Sequence, residues 1–428
     1  MESISTRKVG LAFLAALLAF ALMPFTGLAY ADTPAGEAEL SDTEATEEAA
    51  PSEPSSDAVP EASPAPSETH AQNTASSDGI DLRGPADATV ANFAELQAAI
   101  SAITGDADPT GTIIIDGDFS FDSMIEVTVP CVITIQGGNH TLTATAARHF
   151  QFTGGANVTI TDAVFDGGTT AGGINVLNGG ELALERTTMQ NCSAPSGQGG
   201  GALRTYGNTV ALAVKVTISD NCVFKDNIAN ALNPHNAGAL EIRQNTTFAM
   251  SDSSFERNTA RGVGGAVYVI GAAPTQMADA TFTNVTFDRN ESLESQGGGI
   301  AIKDYANVVF DRCSFTNNKA YSSGGGLFTD RYCDITIKDS EFLNNTASGS
   351  YYASAGGLGV GLYNHAITRF TMTGTTVTET HQRTAAASRS TRLPTTRFPI
   401  ARSRTIRQQL AVAASMWEAP SAERIRFH

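Results

Sequence analysis

Between Asp32 and Asp81 the chain has no lysine or arginine and almost no large apolar side chain. Rich in Ala, Pro, Ser, Thr and Glu, with Glu47, Glu48, Glu53 and Glu61 among its acids, this stretch repels itself and cannot form a core. Cysteine is also scarce. The five (Cys131, Cys192, Cys222, Cys313 and Cys333) are few and odd in number, which argues against a disulfide scaffold. They include no CxxC pair, and the seven histidines form no HExxH or HxH arrangement, so no metal site is expected. A net charge of −17 over 428 residues, with 40 glycines against one tryptophan, suits one large domain or two and names no function.

The N-terminus is readable as an export signal. Arg7 and Lys8 precede an apolar run from Val9 to Met23, and Ala29-Tyr30-Ala31 offers small residues at the spacing a signal peptidase reads. Residues 1–31 are therefore expected to be a signal peptide cleaved before Asp32. The run is short for a membrane span and stops at Pro24. Residues 32–88 then form a disordered acidic spacer, either holding a folded domain off a surface or simply solvated.

What the chain has in abundance is a repeat. Gly-rich segments recur as "GGALRTY" from Gly200, "AGALEIR" from Ala237, "GGAVYVI" from Gly264, "GGIAIKD" from Gly298, "GGLFTDR" from Gly325 and "GGLGVGL" from Gly356. Between them recurs Phe-x-x-Asn, at Phe224, Phe255, Phe287, Phe315 and Phe342, with steps of 31, 32, 28 and 27 residues. The local period decides what such a unit is. "NVTIT" from Asn157 and "DITIK" from Asp334 alternate with period two, and long amphipathic helical blocks are absent from the repeats, so each unit is built of short strands. The expected fold is all-β, a right-handed parallel β-helix over residues 89–380.

In such a solenoid the five phenylalanines should stack as an internal column. Asn227, Asn258, Asn290, Asn318 and Asn345 should lie at a corner, adopting the left-handed conformation and bonding up and down the stack. The glycines should give positive φ at another corner, or room for close packing. Upstream, "NFAELQAAISAI" has Asn92 as N-cap, Glu95 three residues on, and Phe93, Leu96, Ala99, Ile100 and Ile103 on one face. A helix over 92–103 is expected there, capping the open end of a rod of about ten rungs and ~45–50 Å. Cys222 and Cys313, each two residues before a motif phenylalanine, should fall on one ladder roughly 14 Å apart, too far to pair.

The paired Gly-Gly and Phe-x-x-Asn motifs over about Gly199 to Asn345 resemble the repeats of polymorphic outer membrane proteins and related exported β-helix adhesins. That resemblance implies surface exposure and adhesion. The sequence departs from the family in having its acidic spacer at the N-terminus and no visible C-terminal transmembrane barrel, so outer-membrane placement does not carry over directly.

Beyond residue 380 the repeat stops. Residues 381–428 hold nine arginines and no lysine and form a basic, irregular tail. We read this tail as out of frame. If Thr384–Thr391 is written in GC-rich codons, a start two bases later gives Gly-Gly-Gly-Val-Ala-Val-Asp, and the same shift turns Ala411–Trp417 into Gly-Gly-Gly-Val-Tyr-Val, like "GGAVYV" from Gly264. The competing reading is a genuine basic tail that contacts anionic polymer or lipid. The nucleotide sequence from codon 370 onward separates the two: continuing Gly-Gly and Phe-x-x-Asn repeats in the shifted frame would establish the frameshift.

For function, the expectation is an exported, surface-displayed binding stalk or adhesin without catalysis, whose partner is a host or microbial surface glycan or protein. Nucleic acid, metals and small-molecule cofactors are not expected, and no residue is assigned a catalytic, cofactor-binding or metal role. The alternative is a polysaccharide lyase or glycoside hydrolase, which needs paired carboxylates or a carboxylate with a basic residue in a groove. Asp162 and Asp166 in "ITDAVFDGG" are its best pair and Asp116 and Asp118 the next, though each also reads as a turn residue. The Asn-Thr-Asp, Asp-Asp and Gly-His-Gly segments of β-helix pectinolytic families do not occur.

Overall fold

The computed structural model describes residues 87–145, 147–229, 236–348, 356–360, 369–378 and 381–382. The signal peptide, all but the last two residues of the spacer, and the tail from residue 383 lie outside them. One coil shows how the repeat becomes structure. Thr246–Glu256 runs along one side, the chain turns at Arg257 and Asn258, and Thr259–Ala260 forms a short second side. Val267–Ile270 forms the third, and Ala278–Asp288 then lies parallel beside Thr246–Glu256. Strands pair in parallel with their counterparts one coil away, giving sheets of 19, nine and six strands among the described residues. This is a parallel β-helix.

Alternation along each strand sorts side chains between inside and outside. In Cys131–Gln136, Cys131, Ile133 and Ile135 are buried, while Val132 and Gln136 are exposed. The inward residues of the sheets merge into one continuous core that runs the length of the rod. Its axis is the expected phenylalanine column. Phe255, Phe287, Phe315 and Phe342 follow one another with ring centroids 5.1, 4.6 and 4.4 Å apart, and Phe224 precedes them at 5.1 Å. Phe287 also meets Phe282 and Phe310 edge-on. Truncating Phe287 to alanine should cost about 3–5 kcal/mol, and changing it to leucine much less, as read from urea unfolding midpoints.

The asparagine corner forms, with one correction. The left-handed residue is the one before each motif asparagine: Asp226, Arg257, Arg289, Asn317 and Asn344 have φ of 57, 53, 55, 57 and 56°. The asparagines themselves point inward and are fully buried. The preceding residue takes the turn because its side chain then leaves toward solvent, while the asparagine side chain swings inward to bridge coils. Asn258 Oδ1 accepts from Asn227 N (3.0 Å) and Asn227 Nδ2 (2.9 Å), and Asn258 Nδ2 donates to Phe224 O (2.9 Å) and Asn290 Oδ1 (2.9 Å). The same pattern recurs at the next coils.

The glycines divide the two roles expected of them. Gly200, Gly264, Gly297 and Gly324 have φ of 67, 71, 70 and 64°, and the residue after each is a glycine with no room for a Cβ against the backbone of the next coil. Ala237 occupies the same left-handed position without being glycine, at φ 60°.

N-terminal to Gln190 the solenoid continues although the motif fades. Register links Thr110 to Val132, Val132 to Asn157 and Asn157 to Glu181, so these coils are shorter than the later ones. Leu142, Phe165 and Met189 take the motif-phenylalanine place, and Cys192 takes that of the asparagine. A helix, α1, spans Phe93–Thr104, with Asn92 Oδ1 accepting from Glu95 N (3.0 Å) and Glu95 Oε2 accepting from Ala91 N (2.8 Å). Leu96, Ala99, Ile100 and Ile103 are buried, and Phe93 packs on Phe121. A strand that sequence reading did not expect, Ala88–Val90, precedes α1 and pairs with Ile113–Ile115.

Near α1, His149 is buried, with its ring edge-on to Phe121 and Phe165 and Nε2 2.9 Å from Leu142 O. Burial pulls its pKa from 6.5 down to about 4, so it stays neutral in the fold. The unfolded chain takes up a proton below pH 6.5 and the folded one only near 4. Stability contributed by the neutral ring is therefore complete above 6.5 and is lost as pH falls toward 4, by up to about 3 kcal/mol. Urea midpoints at pH 7, 5.5 and 4 should show this loss, and His149→Leu should flatten it.

All five cysteines are buried and unpaired. Cys222 and Cys313 do lie on one ladder, where small side chains accept an amide from the coil before. Thr187 N donates to Cys222 Sγ (3.3 Å), Cys222 N to Ser253 Oγ (3.1 Å), and Cys313 N to Ser340 Oγ (3.0 Å). Burial pushes the thiols of Cys222, Cys313 and Cys333 up to about 11, and that of Cys192 to about 12.

Candidate binding face on the nine-stranded sheet

The carboxylates favoured by sequence reading are corner ties. Asp162 has φ 55° and receives a two-point contact from Arg186 of the next coil, Nε to Oδ1 at 2.7 Å and Nη2 to Oδ2 at 3.1 Å. That guanidinium holds the Asp162 carboxyl below its ordinary value. Asp166 lies at the far end of the strand Val164–Asp166 and is tied to different groups: Gly168 N (2.8 Å), Gln190 Nε2 (2.8 Å) and Asn191 Nδ2 (3.1 Å). Burial pushes its carboxyl up, but these donors outweigh that and leave it below the usual range. A general acid at neutral pH needs the opposite shift. Asp118 accepts from Thr141 N (2.8 Å) and faces His140 Nδ1 (3.1 Å), both of which lower its pKa, and Asp116 follows the strand Thr110–Ile115 with its amide donating to Val90 O (2.9 Å).

The concentration of chemistry lies elsewhere, on the outer side of the nine-stranded sheet. Register places Gln151, Asn175, Arg204, Glu241, Tyr268, Ala301 and Phe328 in one outward column. Asn175, Glu241, Tyr268 and Phe328 are nevertheless buried, because the connections before these strands fold over them; Ala237, Val263 and Tyr268 pack together there. Two positions along run Tyr206, Arg243, Ile270, Lys303 and Asp330. The centre is Glu241, 1% exposed, which accepts from Arg204 Nε (3.1 Å) and Arg243 Nη1 (3.2 Å). Both guanidiniums also lie 5.9 Å from the Tyr206 ring.

Beside them Arg148, 1% exposed, donates to the carbonyls of Gly200 (2.8 Å), Gly201 (3.3 Å) and Gly199 (3.3 Å), and burial lowers its pKa to about 10. Burial raises the Tyr268 phenol and lowers the Lys303 ammonium, which sits over the Phe328 ring at 5.5 Å. Where this sheet turns back into the long one, Tyr305 and Tyr332 stack with centroids 4.7 Å apart. With Pro274, Met277, Asn307, Asp334 and Arg369 they line a shallow groove of about 410 Å³.

Sequence reading saw these strands and not their outward residues. The signal was present: the fourth and sixth residues of "GALRTY", "GALEIR", "GAVYVI", "GGIAIK" and "GGLFTD" are mostly charged or aromatic where the outward side of a strand does not supply the core.

The model of the right-handed β-helix region matches residues 122–279 and 264–393, more than half of the chain. The chain belongs to that family. A stretch of 88 residues is 34% identical to the probable autotransporter YfaL of Escherichia coli K12, covering 21% of this chain and 7% of that protein. Among solved structures, the pectate lyase Bsp165PelA from Bacillus sp. N165, in complex with trigalacturonate, matches at 14% identity and a TM-score of 0.38, over 77% of this chain and 92% of that one. ORF18 of Geobacillus virus E2 matches at 14% identity and a TM-score of 0.37, over 65% and 57%.

Proposed function

We propose that this β-helix is the displayed part of an exported surface protein of the polymorphic outer membrane protein type, and that it binds a surface glycan or protein without catalysis. The observation that carries this reading is the outer face of the nine-stranded sheet, where the half-buried Arg204, Tyr206, Arg243 and Lys303 stand at positions the coil does not need for closure, next to the Tyr305–Tyr332 groove. The relative described as a probable autotransporter, and the export signal in Val9–Ala31, fit display at a surface. Ligand binding through a long lateral face suits a repeat rod, whose neighbouring coils present one continuous strip.

Two measurements test it. Protease added to intact expressing cells should degrade the protein, and full protection would sink surface display. A screen of the purified full chain against glycans and matrix proteins should yield a ligand, whereas release of shortened saccharide chains during that screen would favour a polysaccharide-active enzyme. If such activity appeared, the D162N and D166N variants would decide whether those two carboxylates carry it.

A further inference from the structure

We infer that Arg204 and Arg243 form an anion-binding subsite on this face, built to take the carboxylate or sulfate group of an acidic glycan; the inference rests on the glycan-binding reading above. The chain is strongly acidic, at −17 overall, yet among the described residues three guanidiniums gather here around one carboxylate, that of Glu241. One carboxylate balances one cation, so the cluster keeps an excess of positive charge in a place only partly open to water. The side chains of Arg204 and Arg243 are 20% and 32% exposed.

Arg204 reaches Glu241 through Nε and Arg243 through Nη1, which leaves the rest of each fork to other partners. Arg243 Nε and Arg148 Nε are shielded from solvent and have no hydrogen-bond partner among the described residues, so they lie behind the site and add positive charge to it. An arriving oxyanion takes charge-assisted bonds from the terminal nitrogens of the partly exposed Arg204 and Arg243. Glu241 acts as the buttress. Fixed by the sheet register between Arg204 and Tyr268, it holds both guanidiniums in place before any ligand arrives. Tyr206, against which both lie, adds an apolar surface on which a sugar ring can rest beside its acidic group.

The other polar cluster of the face differs. Lys303 has Asp330 and Asp304 near it and Arg331 donates to Asp304, so cations and acids there are matched. On this face the excess of positive charge belongs to the coils Leu203–Tyr206 and Leu240–Ile242 with Arg243.

The test is calorimetric titration of the full chain with three oligosaccharides of one backbone, neutral, carboxylated and sulfated, and with inorganic sulfate. The carboxylated or the sulfated chain should bind at least about tenfold more tightly than the neutral one, the two arms separating the sources of the anion. Arg243→Gln should reduce that binding at least about tenfold. Arg243→Lys, which keeps the charge and loses the planar fork, should fall between the two and guards against misreading a folding defect. Equal binding of neutral and acidic chains, or full affinity in Arg243→Gln, overturns this inference and leaves the glycan-binding reading standing. Sulfate binding that depends on Arg243, with no glycan bound, upholds the anion site and removes its glycan ligand. Binding of none of the four probes overturns both.

Discussion

Replacing Gly173 with alanine should break the rod in its N-terminal half, at a cost of about 4 kcal/mol or more. Gly173 immediately precedes the strand Ile174–Leu177 and lies directly over the next coil. A Cβ added to it falls inside the carbonyl of Ala202, a backbone group with nowhere to go. That carbonyl also accepts from Ile174 N (2.7 Å), and Gly173 O accepts from His149 N (2.8 Å), so making space means parting two ladder bonds. Gly168 provides the contrast. It has φ +56° with nothing within 4 Å of an added methyl group, and Gly168→Ala should cost only about 1 kcal/mol, the strain of the left-handed backbone. Urea midpoints followed by circular dichroism, with limited proteolysis to locate the break, distinguish the pair. Equal losses in the two variants would refute the coil contact drawn here.

The second large effect concerns two adjacent asparagines. Asn318→Ala should lose about 3–5 kcal/mol, whereas Asn317→Gly should stay within about 1 kcal/mol. Asn318 Oδ1 accepts from Asn290 N (3.0 Å) and Asn290 Nδ2 (2.9 Å), and its own Nδ2 donates to Phe287 O (2.8 Å) and Asn345 Oδ1 (2.9 Å), all away from water. Truncation strands several buried polar groups at once. Asn317 holds the left-handed turn and its side chain reaches Asp288 at the surface, so glycine relieves its backbone and removes one exposed bond. Because each coil contacts only its neighbours, the damage in Asn318→Ala should be local first. Hydrogen exchange should rise around Lys319–Ala320 and the adjoining coils before global unfolding. Comparable stability of the two variants would mean that the inward asparagines do not hold the coils together.

The contrast between Asn317 and Asn318 also marks how far the sequence could be read. A phenylalanine every 27 to 32 residues followed by asparagine three places on is enough to expect a β-solenoid, a stacked column and a polar ladder. Which of two neighbouring residues turns the chain is invisible in that pattern, because asparagine suits either corner task and the turn position, whose side chain faces out, accepts Asp, Arg or Asn. The same limit hid the N-terminal coils, where Phe165, Met189 and Cys192 fill the core in place of the motif residues and the coils are shorter. The helix α1 was legible because cap, acidic N3 residue and apolar face agree within a short stretch. Asp162 and Asp166 drew attention as a pair four apart, yet the fold gives them separate partners at two different turns. Arg204, Glu241 and Arg243 come from two coils, and only sheet register brings them together.

In the five coils that carry both, the distance from phenylalanine to asparagine does not vary, while the connection from the six-stranded sheet to the nine-stranded one does: residues 230–239 in one coil, 261–266 in the next, 293–299 after that. An insertion between Phe and Asn would throw every later side chain out of phase with the ladder. An insertion in the connecting loops changes nothing below it. The return from the nine-stranded sheet to the long one varies too, residues 207–213 in one coil and 243–245 in the next, so the molecule has a fixed spine and editable margins on both sides of the face carrying Arg204 and Arg243. Loop length can change while the architecture stays as it is, which makes these loops the natural place to graft foreign peptides onto the rod.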